Sequence, residues 1–271
     1  MGTEFWRRDR PWIMGILNVT PDSFSDGGRH AIPAIAIKAG MAMIAAGADI
    51  LDVGGESTRP GSVAVSPEIE QDRVLPVIRA LAASGALVSV DTRHASTMAA
   101  ALAAGAAIVN DVSALTHDPD ALSVVARAGC PVVLMHMRGT PETMNGLACY
   151  DNVVSDVRAE LAETLARAVH GGVAAERIAL DPGIGFAKTA EQSLALLRGL
   201  PDLATLGRPL LVGVSRKSFI GRIAEQPDAA RRVGGSLAAG LYALSRGARI
   251  LRVHDVEETV QAVRVWSSLT N

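Results

Sequence analysis

The feature that most limits what this chain can become is an alternation. Eight short apolar runs, most of them ending in a polar residue and a loop, are separated by Ala/Leu/Glu/Arg-rich stretches with helical spacing. The runs lie near Ile13–Asn18, Asp49–Gly54, Leu87–Asp91, Ala107–Asp111, Val132–His136, Ile178–Asp181, Leu210–Ser215 and Ile250–His254. Each is almost continuously hydrophobic, the pattern of a parallel strand covered on both faces. The helical stretches lie at Ile35–Ala46, Pro67–Ser84, Ser96–Ala104, Asp120–Ala128, Val153–Val169, Glu191–Arg198, Arg231–Arg246 and Val256–Ser268. Ser66 before Pro67 is a helix-entry signal. Gly47, Gly85, Gly105, Gly129 and Gly247 stand where helices should stop, because glycine tolerates the left-handed conformation of a helix end. Eight strands alternating with eight helices over about 250 residues predict a closed (β/α)8 TIM barrel, an α/β fold. It is expected to be one domain over residues 1–271, with 1–10 as a short N-terminal extension. A doubly wound open sheet would carry a glycine-rich turn after its first strand; this chain has Asn18-Val19-Thr20-Pro21-Asp22 there.

Composition narrows the function classes. With 28 acidic and 26 basic residues the formal charge is −2, so there is no basic field to draw nucleic acid or an anionic membrane. No apolar run approaches the roughly 18 residues of a membrane span. Met1–Arg10 is charged and does not read as a secretion signal. The two cysteines, Cys130 and Cys149, lack metal-type spacing, which excludes a disulfide scaffold and leads us to expect a reducing cytoplasm. The 26 basic residues resolve into 23 Arg and only three Lys, at positions 38, 188 and 217.

In a barrel of this kind the active site forms at the C-terminal ends of the strands, and there the polar residues accumulate. Asn18 closes the first strand and Gly54-Gly55-Glu56-Ser57-Thr58-Arg59-Pro60-Gly61 follows the second. Asp91, Asn110-Asp111 and His136 end strands three to five, and Asp181-Pro182-Gly183-Ile184-Gly185-Phe186 follows strand six. Ser215-Arg216-Lys217 follows strand seven, and Arg252 and His254 end strand eight. A single Asp after a strand is ordinarily a helix cap; eight polar strand ends together point to a site. Arg252 and His254, two apart, share a strand face. An inward guanidinium demands an anion, and the ends of strands seven and eight are the usual phosphate corner. The carboxylates of Asp91 and Asp181, with Asn110, supply acceptors for an N–H-rich heterocycle, with which a carboxylate can form two parallel charge-assisted bonds.

The stretch Gly15-Ile16-Leu17-Asn18-Val19-Thr20-Pro21-Asp22-Ser23-Phe24-Ser25-Asp26-Gly27-Gly28 resembles the first signature of the dihydropteroate synthases, the folate-pathway enzymes blocked by sulfonamides, and Asp52–Gly61 resembles the second. Segments at Ser89–Thr92, Asn110–Val112, Leu134–Met137, Asp181–Phe186, Ser215–Lys217 and Arg252–Asp255 match further landmarks in order. The resemblance implies displacement of pyrophosphate from 6-hydroxymethyl-7,8-dihydropterin pyrophosphate by p-aminobenzoate, giving 7,8-dihydropteroate, with Mg2+ and a homodimer. It also implies residue roles. Asp91, Asn110, Asp181 and Lys217 would hold the pterin, with Val112 and Met135 sandwiching its ring. Asn18 would coordinate magnesium, and Arg59, Arg252 and His254 would contact the diphosphate. Phe24, Thr58, Pro60, Phe186 and Ser218 would frame p-aminobenzoate. Asn18, Asp91, Lys217, Arg252 and His254 form the expected catalytic set, with no general base among them. His136 is expected to be structural, since it cannot share a strand face with Met135. The loops Thr20–Gly28 and Glu56–Ser62 are expected to close over the substrates. Two departures stand out: Ala187 where the family usually has Gly, and Ser193 where Asn is common. A barrel moving a methyl group from methyltetrahydrofolate to a corrinoid protein would share Asp91, Asn110 and Asp181 but would need no diphosphate corner. A non-catalytic paralogue is a further alternative.

Overall fold

The computed structural model describes residues 5–20, 31–57, 64–140 and 142–270. Eight parallel strands close into a barrel in sequence order: β1 (Trp12–Asn18), β2 (Ile50–Gly54), β3 (Val88–Asp91), β4 (Ile108–Asp111), β5 (Val132–Met135), β6 (Ile178–Asp181), β7 (Leu210–Val212) and β8 (Ala248–Val253). β8 returns to pair with β1, Trp12 opposite Ile250. Around them run α1 (Ala31–Ala45), α2 (Pro67–Ala83), α3 (Ala95–Ala103), α4 (Ala121–Ala128), α5 (Val153–His170), α6 (Ala190–Arg198), α7 (Leu200–Ala204), α8 (Ser218–Ile223), α9 (Val233–Ser245) and α10 (Val256–Thr270). The expected barrel is thus present, and each expected helix is found to within a few residues. The short α7 and α8 were not foreseen, because neither is long enough to show a helical period. β7 stops at Val212, three residues before its expected end.

Local chemistry explains the element ends. Ser66 accepts from Ile69 N at 3.4 Å and Pro67 opens α2. The five glycines expected to end helices all have positive φ, from 59° at Gly129 to 108° at Gly105.

Strand alternation divides the core in two. Ile13, Leu17, Leu51, Val53, Val88, Val90, Val109, Leu134, Leu180 and Val212 point outward into one large cluster with the helices. The opposite parity, Met14, Ile50, Ile108, Val133, Ala179, Leu211 and Ile250, fills the barrel interior near its N-terminal end. Residues 5–10, expected as a mere extension, contribute to this floor. Trp6 is 2% exposed and packs on the interior cluster, with its indole N–H donating to the Arg177 carbonyl at 2.8 Å. Trp12 donates to the Trp6 carbonyl at 3.0 Å, and the Phe5 ring stacks on Trp12. With one end of the barrel filled, the interior positions further along the strands are left for polar groups at the other. Among the described residues no helix is long and apolar enough to cross a membrane.

Candidate active site

Two residues beyond the apolar floor, the same inward parity switches from hydrocarbon to acid and amide. Asp52 on β2, Ser89 and Asp91 on β3, Asn110 on β4, Asp181 on β6 and Arg252 on β8 all follow it. Arg252 holds the group together: its Nε donates to Asp52 Oδ2 at 2.6 Å and an Nη donates to Asp91 Oδ2 at 2.5 Å. Asn110 Nδ2 donates to the same Asp52 oxygen at 2.9 Å. Asp52 is fully buried, and its other oxygen, Oδ1, has no hydrogen-bond partner among the described residues; neither has Ser89 Oγ. Buried acceptors are costly to leave unpaired, so these two atoms mark where a ligand's N–H groups would be received.

The electrostatics follow from crowding charge away from water. Burial pushes Asp91 up to about 8; Arg252 opposes this and the neighbouring Asp52 adds to it. Asp181 is likewise raised by burial, against the pull of the Lys217 charge and a 2.7 Å bond from Gly183 N. Burial pulls Lys217 down to about 8, with Asp181 holding it up. For Arg252, burial would lower the pKa, but the Asp52 and Asp91 charges outweigh it, and the guanidinium stays charged. Three acids and two bases gathered at one mouth of the barrel make a polar cluster suited to a flat, donor-rich ring with an anionic tail.

Lys217 reaches across from the end of β7 to the loop after β6. Its ammonium donates to the Ile184 carbonyl and lies 4.3 Å from the Phe186 ring centroid, within the range of a cation–π contact. Phe186 is thereby brought beside Lys217, one of the residues expected to hold the pterin. Met135, inward by parity and paired in register with Asp181, and Val112, two residues beyond Asn110, are both buried. Ser218 opens α8 and is exposed at the mouth. Asn18 ends β1 opposite Gly54. His254 Nδ1 lies 3.0 Å from Ser215 Oγ, which also accepts from the His254 backbone N–H at 3.2 Å. Phe24, Thr58, Arg59 and Pro60, and most of the two loops expected to close, lie outside the described residues.

Three neighbours of the site take structural parts. Arg216, in the expected phosphate corner, turns away with φ 61° and pairs with Asp255 through two bonds of 2.5 and 3.1 Å. Asp111 faces outward and caps the next turn, accepting from Ser113 N and Leu115 N. His136 is buried between Glu160 and Lys188, 2.9 Å from each. Asp52 is the residue that sequence reasoning missed. It sits inside a strand rather than at its end, and only its parity with Gly54 and Ile50 could have flagged it. Ser193, 1% exposed, bonds back to the Thr189 carbonyl within α6.

Comparison with known proteins agrees with this geometry. Residues 14–254 match the family described as pterin binding enzyme. The chain is 49% identical over 261 residues to a dihydropteroate synthase of Synechocystis sp., covering 96% of this chain and 90% of the relative. It is 47% identical over 256 residues to that of Escherichia coli, covering 94% and 90%. Among solved structures, dihydropteroate synthase of Xanthomonas albilineans with 4-aminobenzoic acid superposes with a TM-score of 0.92 at 48% identity, covering 97% of this chain and 94% of that one. The Xanthomonas albilineans enzyme in complex with 7,8-dihydropteroate superposes with a TM-score of 0.89 at 46% identity and the same coverage. The chain therefore belongs to the pterin binding enzymes and, within them, to the dihydropteroate synthase family.

Proposed function

We propose that this enzyme condenses 6-hydroxymethyl-7,8-dihydropterin pyrophosphate with p-aminobenzoate, releasing pyrophosphate and giving 7,8-dihydropteroate for folate synthesis. The observation that carries the reading is the convergence of Asp52, Asp91, Asn110 and Asp181 with Arg252 and Lys217 in one mouth of the barrel. The carboxylates and Asn110 receive the pterin's N–H edge, with Val112 and Met135 against its faces. Arg252 pairs with Asp52 and Asp91; pterin N–H groups would share those acceptors, with the guanidinium turned toward the diphosphate. His254, and Arg59 from the second loop, complete the anion site, while Phe24, Thr58, Pro60, Phe186 and Ser218 frame the amine substrate.

The chemistry asked of these residues is leaving-group stabilisation. The C–O bond to diphosphate breaks first, the pterin ring spreads the cation at its methylene, and the weakly basic aromatic amine attacks as the free base. Fixed charges aimed at the departing anion supply most of the rate enhancement in such a step, and no side chain need act as a strong base. Among the described residues no group of three His, Cys, Asp or Glu side chains is placed to hold a metal, whereas Asn18 offers one neutral oxygen at the mouth. That donor set fits a Mg2+ ion held chiefly by phosphate oxygens and water. Asn18 would hold it, and the bound ion would neutralise charge on the leaving group.

We further propose a homodimer in the reducing cytoplasm. A groove of about 370 Å³ runs between α6, α8 and α9, lined by Leu194, Leu197, Phe219, Ile220, Ile223 and Tyr242 among others, and a second copy of this face would cover it. Cys130 and Cys149 are both free thiols.

The decisive assay is dihydropteroate formation from the pterin pyrophosphate, p-aminobenzoate and Mg2+, with pyrophosphate release followed in parallel. Asn18→Ala and Lys217→Ala are each expected to lower kcat/KM by about a hundredfold, the loss of roughly 3 kcal/mol from one charge-assisted or metal contact. Turnover at wild-type rates in either folded variant would remove the assignment. Methyl transfer to a corrinoid without pyrophosphate release would favour the methyltransferase alternative.

A further inference from the structure

Arg outnumbers Lys by 23 to 3 in this chain, yet two of the three lysines, Lys188 and Lys217, meet on the loop between β6 and α6. The function above uses only Lys217. The Lys188 Nζ lies 2.9 Å from His136 Nδ1, 2.9 Å from the Phe186 carbonyl and 3.5 Å from the His136 carbonyl; burial pulls its pKa down to about 7, with the Asp181 charge holding it up. His136 is pre-set for this contact. Burial, then the Lys188 charge, push its pKa down to about 4, so the ring is neutral. Its Nε2 faces the Glu160 carboxylate at 2.9 Å and carries the proton, which leaves Nδ1 as an acceptor for Lys188. Arg138 fixes Glu160 from the other side. One residue on, the Tyr150 hydroxyl donates to the Ala187 carbonyl at 3.0 Å. The loop is therefore tied at three carbonyls: Ile184 by Lys217, Phe186 by Lys188 and Ala187 by Tyr150.

We propose that Lys188 is a positioning residue for the amine substrate, tying the end of β5 to the Phe186 carbonyl and so setting the Phe186 ring against Lys217. The inference rests on the reading that Phe186 frames p-aminobenzoate. It also explains why this position is Lys in an Arg-biased chain. Three acceptors converge on a single nitrogen, which an ammonium with three rotatable donors can serve and a planar guanidinium fork cannot. The hydrogen-bond partners of Lys188 are His136 and Phe186, and it reaches Asp181 and Lys217 only through charge, so its removal should fall chiefly on one substrate. A lysine that merely braced the fold would change stability and leave the two KM values alone, or shift both.

The test is dihydropteroate formation by wild type, Lys188→Met, Lys188→Arg and Tyr150→Phe, varying each substrate in turn and recording Tm for each protein. Lys188→Met, neutral and of similar length, is expected to raise KM for p-aminobenzoate about tenfold, as loss of one charge-assisted bond should. KM for the pterin pyrophosphate should stay within about twofold. Lys188→Arg should resemble Lys188→Met. Tyr150→Phe removes a tie to the same loop and should raise the p-aminobenzoate KM about two- to threefold. Should Lys188→Met fail to fold, Tyr150→Phe carries the test. An unchanged p-aminobenzoate KM, a parallel rise in both KM values, or wild-type behaviour of Lys188→Arg would overturn the proposal. Absence of product from the wild type would instead remove the functional reading on which it stands.

Discussion

Asp52 carries the charge balance of the site. Two donors, Arg252 and Asn110, converge on one of its oxygens inside a fully buried position. Its removal leaves two buried donors, Arg252 Nε and Asn110 Nδ2, without this acceptor, at roughly 1–3 kcal/mol for each group left unsatisfied. Because Asp91 still pairs with Arg252, Asp52→Ala should cost less than two such losses in full, roughly 2–3 kcal/mol, and should also weaken pterin binding. A urea midpoint equal to wild type would contradict this. His136 gives a pH signature of its own. Its ordinary value near 6.5 is pushed down to about 4 in the fold, so the unfolded chain binds a proton more readily than the native one. The stabilisation is complete above pH 6.5 and is lost as pH falls toward 4, amounting to roughly 3 kcal/mol. Burial sets most of that shift, the Lys188 and Arg138 charges add to it, and Glu160 opposes it. Urea midpoints measured from pH 7 to 4 should fall more steeply in wild type than in His136→Gln, and parallel slopes would show that His136 does not titrate this way.

At the scale of elements, the turn after β6 is the most constrained piece of the molecule. Gly183 has φ +66°, and a Cβ there would stand 1.9 Å from the His136 carbonyl oxygen. Glycine is needed both for the left-handed backbone and for the close approach of β5. Gly183→Ala should destabilise the enzyme by more than about 3 kcal/mol, because both strain and a backbone clash are added; a Tm within a degree or two of wild type would refute that. Ala187, at a position where the family usually has Gly, adopts φ +47°. Alanine accepts this at a cost of about 1 kcal/mol, and the Tyr150 bond to its carbonyl helps to hold it. α8 is a different case. It is six residues long and opens immediately after Lys217, where a short helix commonly closes the phosphate corner of this fold, but its sequence is too brief to announce it.

The whole molecule is built with unlike ends. Trp6, Trp12 and Phe5 cover one mouth of the barrel with hydrocarbon, and the other mouth gathers the charges. A third surface, the groove at α6, α8 and α9, exposes Ile223 and Tyr242. Within α9, Gly240, Ala243 and Leu244 face the core, while Ala238, Ala239 and Tyr242 line the groove. Ile223→Asp places a charge on the lining of that groove. It should convert the proposed dimer to a monomer by light scattering at micromolar concentration, since a buried unpaired charge costs several kcal/mol. A dimer that persists would place the interface elsewhere.

What the sequence determined was everything that follows from periodicity. Near-continuous apolar strands, helical spacing between them and glycine at helix ends fixed the barrel, because each is a local consequence of side-chain alternation and backbone freedom. Polar residues at strand ends then located Asp91, Asn110, Asp181, Lys217 and Arg252, since a parallel barrel presents all its strand ends on one side. Only the tertiary structure decided which of these residues pair. Asp52 looked like one more strand residue until β8 brought Arg252 to it from 200 positions away. Arg216 and Lys217 are adjacent in the chain, yet a left-handed turn sends one to Asp255 and the other into the site. Lys188 gained its role only when β5 and the β6 loop met. Burial and pairing are properties of distances between elements, and no run of neighbouring residues encodes them.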